Sequence, residues 1–233
     1  MQLIAHRGGA DRAPENTLRA VEQAAAHVDA VEVDVRRCGS GELVVVHDAS
    51  LERLAGSEAV VAETPLTELR EYRVLGSDQR IPRLVDVVDV LPDAVGLNVE
   101  LKERGLVPDV EAAVAERDRS NTWLSSFDAA ALAGTTLPCG FLFASPRDGG
   151  TETVPRLDWG AGLDAATQLD CDAVHPQYHF VVEDPDRVAA AHDAGFAVNV
   201  WTPPLEALPG LRAAGVDGVI VDDWVEQASE SSV

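Results

Sequence analysis

Short β-branched and apolar runs alternate along the chain with longer alanine-rich stretches whose apolar positions recur every three or four residues. The short runs predict strands at 2–6, 30–35, 43–47, 96–101, 122–126, 139–143, 173–175, 197–201 and 218–221. The longer stretches predict helices over 16–27, 66–72, 84–91, 107–117, 129–135, 162–169, 185–194 and 204–214. Strand alternating with helix builds a parallel sheet with helices outside it. The runs are too many for a small doubly wound sheet and fit an eight-stranded α/β barrel. Nine strand candidates compete for eight places. Runs 30–35 and 43–47 are joined by Arg36-Arg37-Cys38-Gly39-Ser40-Gly41-Glu42, too short for a crossover helix and rich in turn residues, so a hairpin near the barrel's start absorbs the surplus. Residues 50–80 lack strong periodicity and read as a short insertion over one face. One domain is expected over 1–228, followed by a disordered tail at 229–233.

Within the strands, polar residues break the apolar pattern in a regular way. In Val31-Glu32-Val33-Asp34-Val35 the valines face the helices, which turns Glu32 and Asp34 into the barrel. In Leu97-Asn98-Val99-Glu100-Leu101-Lys102 the same alternation turns Asn98, Glu100 and Lys102 inward. A lone Glu100–Lys102 pair would read as a plain ion pair. Two strands with inward acids near their C-terminal ends, where barrel chemistry sits, point instead to a hard cation with oxygen ligands.

Histidines stand at neighbouring strand ends. His6 closes the first strand and precedes Arg7-Gly8-Gly9; His47 closes the third run and precedes Asp48. Two imidazoles so placed can activate a nucleophile and protonate a leaving group, with His6 taken as the base. His27 and His192 lie in helical stretches and read as structural. His175 ends a strand and is a candidate for the pocket wall; His179 is left open. Arg7 suits a phosphate oxygen pair, and Gly8-Gly9 would let the backbone approach a ligand closely. Asn16 and Thr17 open a helix, with Asn as an N-cap. Three carboxylates with one divalent cation leave about one negative charge, and a phosphodiester adds another, which Arg7 and Lys102 neutralise.

Composition sharpens this picture. The chain has 233 residues, enough for a sizeable core, and a formal net charge of -22. Such a chain repels nucleic acid and anionic lipid surfaces, so neither is expected as a partner, and no stable membrane association is expected. Lys102 is the sole lysine among 18 basic residues. A nearly lysine-free acidic surface fits a high-salt cytoplasm; GC-rich codon usage favours the same residue types but does not by itself produce this charge. Cys38, Cys139 and Cys171 are scattered, with no Cys-x-x-Cys pair, and read as free thiols in a reducing compartment. No charged start and apolar core precede the first strand, so a cytoplasmic location is expected.

The motifs resemble, in order, those of the glycerophosphodiester phosphodiesterase family. HRGGADRAPENTLRAVEQA at 6–24 resembles its opening, and VEVDVRRCGSGELVVVHD at 31–48 its Glu-x-Asp strand, turn and His-Asp. IPRLVDVVDVL at 81–91, NVELK at 98–102, SSFD at 125–128, VWT at 200–202 and GVDGVIVDD at 215–223 follow. The resemblance implies a TIM barrel in which His6 and His47 are the acid–base pair and Glu32, Asp34 and Glu100 hold Mg²⁺ or Ca²⁺. It further implies that Arg7 and Lys102 contact the phosphate, that Trp201 lines the pocket, and that a glycerophosphodiester is cleaved to a glycerol phosphate and an alcohol. The chain departs from the family after Asp48, where LERLAGSEAVV replaces Arg-Thr-Thr and a glycine-rich stretch. It departs again at Val221-Asp222-Asp223-Trp224, where Thr-Asp-x-Pro is usual. A barrel phospholipase-type diesterase and a non-catalytic binding barrel are the alternatives; the first lacks a docking segment here, and the second should have lost a histidine or a metal acid.

Overall fold

In a computed structural model of the protein, the structure describes residues 1–146 and 154–224. Its strands are β1 (Gln2–Ala5), β2 (Ala30–Arg37), β3 (Leu43–Val45), β4 (Gly96–Leu101), β5 (Thr122–Ser126), β6 (Cys139–Phe143), β7 (Ala173–Pro176), β8 (Ala197–Trp201) and β9 (Gly218–Val221). Eight of them pair in parallel in the order β1-β9-β8-β7-β6-β5-β4-β2, and a β1–β2 pairing closes the ring. The ninth, β3, runs antiparallel to the end of β2 with Val35 opposite Val45. The fold is therefore a TIM barrel, and the surplus strand is the expected hairpin.

Helices α1 (Leu18–Ala24), α2 (Glu52–Ala55), α3 (Leu66–Leu69), α4 (Leu84–Val90), α5 (Val107–Ala115), α6 (Trp159–Gln168), α7 (His179–Glu183), α8 (Asp186–Asp193) and α9 (Leu208–Ala214) complete the described residues. Several differ from the pattern-based ranges. The helix expected from Asn16 starts at Leu18, because Asn16 takes a left-handed φ of 57° and Thr17 is the cap, accepting from Ala20 N at 3.2 Å. The stretch 129–135 forms only a 3-10 turn at Ala129–Ala131, since Gly134 adopts a φ of 80° and stops propagation. The stretch 204–214 divides into a 3-10 turn and α9; Pro209, lacking an N–H, is confined to the first turn of α9. Helix α6 begins earlier than expected because Asp158 caps it, accepting from Ala161 N at 2.9 Å. The expected tail at 229–233 lies outside the described residues.

Burial follows the strand alternation. Val31, Val33, Val35, Leu97, Val99 and Leu101 join the core shared with the surrounding helices, together with Val87, Val110 and Val114. The insertion builds a core of its own: Leu51, Leu54, Val61, Leu66 and Leu69 pack on Val44 and Val46. That separate core makes it a small lobe attached beside β3 and explains why it carries no barrel-like periodicity.

The lower barrel interior holds a polar group that costs stability when charged. His175 on β7 is fully buried, with Nε2 3.1 Å from Asn199 Nδ2 and Nδ1 unpartnered. It fits because Gly140, its neighbour on β6, has no side chain; a Cβ there would overlap the imidazole. His175 does not line the large cavity described below, so its strand-end position in the sequence misleads. Burial pushes its pKa down to about 4. Between that value and the unfolded value of about 6.5 the unfolded chain binds a proton that the folded chain refuses. Stability contributed by neutral His175 is thus complete above about pH 6.5 and is lost as pH falls toward 4, an effect on the order of 3 kcal/mol. Urea melts of the native protein and His175→Asn at pH 7, 5.5 and 4.5 should show a shallower acid loss in the variant; equal slopes would refute the assignment.

Surface charge gives a second expectation. Forty acids face 18 Lys and Arg, so most surface carboxylates cannot be paired despite bridges such as Arg70–Asp86 and Arg104–Asp128. At low ionic strength the Debye length of about 30 Å spans the domain, and repulsion favours the expanded chain. The melting temperature should rise with KCl from about 0.05 M to 2 M, more than with a neutral osmolyte; a flat series would count against adaptation to high salt.

Candidate active site

The C-terminal ends of the strands open into a cavity of about 510 Å³ whose walls include His6, Arg7, Glu32, His47, Glu100, Lys102 and Trp201. Asp34 lies directly behind that wall, fully buried. All eight residues expected to form the site are therefore brought together.

His6 follows β1 in a tight turn. Arg7 there has a φ of 52°, followed by Gly8 at 79° and Gly9 at 89°. The glycines do not serve ligand approach, as the sequence suggested. A Cβ on Gly8 would strike Ala20 of α1, and one on Gly9 would strike the Trp224 ring. The turn instead aims Arg7 N at Glu32 Oε2, 2.8 Å away. It also sets His6 Nδ1 2.5 Å from Asp222 Oδ1, just beyond β9. His47 repeats this arrangement after β3, with Nδ1 2.7 Å from Asp48 Oδ1. A carboxylate on Nδ1 fixes each ring and leaves Nε2 for chemistry.

The three acids crowd together. Glu32, Asp34 and Glu100 offer carboxylate oxygens all within 4.8 Å of one another, and all three are buried. Burial, then the neighbouring Asp34 charge, push the Glu32 carboxyl up to about 8. Burial pushes Asp34 the same way, but the Lys102 ammonium and Arg7 guanidinium outweigh it and hold that carboxyl well below the usual range. Asn16 locks Asp34 from behind: Nδ2 donates to Asp34 Oδ2 at 2.7 Å and Oδ1 accepts from Asp34 N at 3.2 Å. Lys102 Nζ reaches Glu100 and lies 3.2 Å from Asp34 Oδ1.

An ion network braces the rim. Arg7 Nη1 donates to Glu15 Oε1 at 2.9 Å, and Arg53 of the insertion grips both Glu15 oxygens at 2.7 Å each. Arg53 Nε also donates to Asp48 Oδ2 at 2.7 Å. His47 is thereby tied through Asp48, Arg53 and Glu15 to Arg7. On the opposite wall Trp201 meets Phe127 edge-on at 5.3 Å and donates from Nε1 to the His175 carbonyl at 2.8 Å.

The surroundings separate the two imidazoles. Burial disfavours charge on His6, but the Asp222 hydrogen bond and the Glu32 charge outweigh it and raise its pKa. Burial also disfavours charge on His47; there the Lys102 and Arg7 charges add to it, overcome Asp34 and Asp48, and lower the pKa.

Residues 6–226 match the Glycerophosphoryl diester phosphodiesterase family. The chain belongs to that family. It is 28% identical to a glycerophosphodiester phosphodiesterase of Caldanaerobacter subterraneus subsp. tengcongensis, covering 95% of this chain and 93% of the relative. Among solved structures it is similar to an Oleispira antarctica phosphodiesterase in complex with the product sn-glycerol-3-phosphate. That likeness has a TM-score of 0.77 and 28% identity over 95% of this chain and 93% of the other. A glycerophosphodiester phosphodiesterase from Thermotoga maritima matches with a TM-score of 0.72 and 28% identity, over 94% and 93%. As a member of this family the chain is a phosphoric diester hydrolase. For a glycerophosphodiester phosphodiesterase the geometry adds residues that the sequence reading passed over. Asp222 lies both in a run that resembles the family and in one that departs from it, was given no role in either, and holds His6. Glu15 and Arg53 gave no sign of meeting across 38 residues. Asn16 was read as a cap and holds an acid. Only Asp48, adjacent to His47, could have been found from spacing.

Proposed function

We propose that the protein hydrolyses glycerophosphodiesters to a glycerol phosphate and an alcohol, using His6 and His47 for proton transfer and Glu32, Asp34 and Glu100 to bind one divalent cation, Mg²⁺ or Ca²⁺. The observation that carries this reading is the convergence on one cavity of two carboxylate-backed imidazoles, three crowded acids and two permanent cations. The product sn-glycerol-3-phosphate in the Oleispira relative supports the same class of product here.

The residues fit a hard cation. Glu32 Oε1 is buried and accepts no hydrogen bond, Asp34 Oδ1 meets only the Lys102 ammonium at 3.2 Å, and three buried carboxylates outnumber the two cations beside them. Held by Glu32, Asp34 and Glu100, such a cation would neutralise the acids and would supply polarisation of a phosphoryl oxygen. Arg7 and Lys102, both at the cavity wall, contact the remaining phosphate charge. His47, whose neutral form its surroundings favour, accepts a proton of the attacking water. His6, whose protonated form Asp222 favours, donates to the leaving alcohol oxygen. This reverses the order taken from the sequence, where His6 served as base. Trp201 and Phe127 wall the apolar side.

The test is release of glycerol phosphate from a panel of soluble glycerophosphodiesters built on both glycerol phosphate enantiomers. EDTA should abolish activity and Mg²⁺ or Ca²⁺ should restore it. Full activity of metal-free protein would sink the cation assignment, and release of no glycerol phosphate from any substrate would sink the function.

A further inference from the structure

Two of the three cysteines meet at the end of the barrel away from the active site. Cys139 opens β6, Cys171 lies in the turn leading into β7, and their Sγ atoms are 3.3 Å apart. Both are free and buried. Backbone pairing holds them there. Asp172 N donates to the Cys139 carbonyl and Asp172 Oδ2 accepts from Cys139 N, each at 2.9 Å, immediately before the register that sets Gly140 opposite Ala173. Cys139 also lines a cavity of about 240 Å³ between the N-terminal ends of the strands, beside Asn121, Asp172 and Asn199. Cys38 has no such neighbour; it sits in the core of the insertion with its Sγ near Ser40 and Glu42.

We propose that Cys139 and Cys171 are a reversible oxidation site, at which a small neutral peroxide forms an intrachain disulfide tying β6 to the turn before β7. The surroundings select the oxidant. Asp170 and Asp172 flank the thiols on a chain of net charge -22, which repels anionic peptide disulfides and admits hydrogen peroxide. The two sulfurs are also unequal. Their shared hydrogen bond draws Cys139 below an ordinary thiol against the push of burial, while the same bond and burial push Cys171 up. Cys139 is therefore the nucleophile.

The Cys139 thiolate attacks one peroxide oxygen; the O–O bond breaks, and hydroxide leaves with the thiol proton as water. Cys171 sulfur then attacks the sulfenic sulfur; the S–S bond forms, the S–O bond breaks, and the second thiol proton leaves in the second water. Two thiols and one hydrogen peroxide give one disulfide and two waters. Closing the bond requires the sulfurs to approach by roughly 1.3 Å, within reach of side-chain rotation. The bridge cross-links segments that are already paired, so it constrains the unfolded chain without remaking the barrel. The melting temperature should rise by about 5–15 °C. Turnover should stay within about twofold, because the pair lies at the barrel end opposite His6 and His47.

The experiment treats the full chain with hydrogen peroxide, quenches with catalase, and maps peptides without reduction. The expected result is a linked Cys139–Cys171 peptide lighter by about 2 Da, reversed by dithiothreitol, with Cys38 still free and the melting temperature raised. Cys38→Ser should keep the link, and Cys139→Ser and Cys171→Ser should each lose it. Oxygen added to either cysteine without a link, a bridge between two chains, or three intact thiols after treatment would overturn the proposal. Because the map is made on the native chain, it decides the matter even where a serine variant fails to fold.

Discussion

Glu100→Gln should cut turnover by at least about a hundredfold and weaken binding of Mn²⁺ as a probe ion, measured by calorimetry. The reason lies in the crowding at the barrel mouth. Three buried carboxylates share a space in which their oxygens are no more than 4.8 Å apart. Lys102 and Arg7 offset Asp34 and Glu100, and once Glu32 ionises, above about pH 8, the acids outnumber the cations by about one charge at the place where a negatively charged diester must bind. A divalent cation reverses that sign. Glutamine keeps the shape of Glu100 and removes its charge, so a ligand is lost while packing is retained. Metal-free protein above about pH 8, where Glu32 is ionised, offers the control: removing one of three crowded charges should hold or raise its melting temperature. A variant that melts several degrees lower without metal would show that the ion pair with Lys102 outweighs the repulsion among the acids, and unaltered Mn²⁺ affinity would remove Glu100 from the site.

Alanine at His6 or His47 should lower turnover by roughly 10²–10⁴-fold, the usual size of acid–base contributions. The double variant should be little slower than the worse single one, because both groups serve one transition state. Asp222→Asn provides the finer test. It leaves a hydrogen-bonding group at Nδ1 of His6 but removes the charge that favours its protonation. The alkaline limb of the pH–rate profile should therefore move to lower pH, since the acid loses its proton sooner, while Asp48→Asn should act mainly on the acidic limb through His47. Near-normal rates in both alanine variants, with metal occupancy confirmed, would end the acid–base assignment. A profile unmoved by Asp222→Asn would leave Asp222 a purely structural partner.

The barrel strands and the inward direction of the three candidate acids were legible in the chain for a common reason. A strand's two-residue period forces alternate side chains to opposite faces, so a carboxylate between valines declares its direction whatever the rest of the protein does. Glu32, Asp34 and Glu100 were placed that way, and the link between β2 and β3 declared its hairpin through its shortness and its turn residues. Other features required the closed ring. Asp222 reaches His6 because β9 pairs with β1, bringing together residues 216 apart. Arg53 reaches Glu15 because the insertion folds on its own core beside β3. Asn16 turns from a cap into a brace for Asp34 because a left-handed residue redirects the chain before α1. Cys139 and Cys171 become neighbours through the register of β6 and β7. The protonation preferences of His6 and His47 likewise depend on which charges surround each ring, and those come from separate strands. Local periodicity is a property of the chain and can be read there. Contacts between distant segments depend on how the barrel closes, and only the tertiary structure determines them.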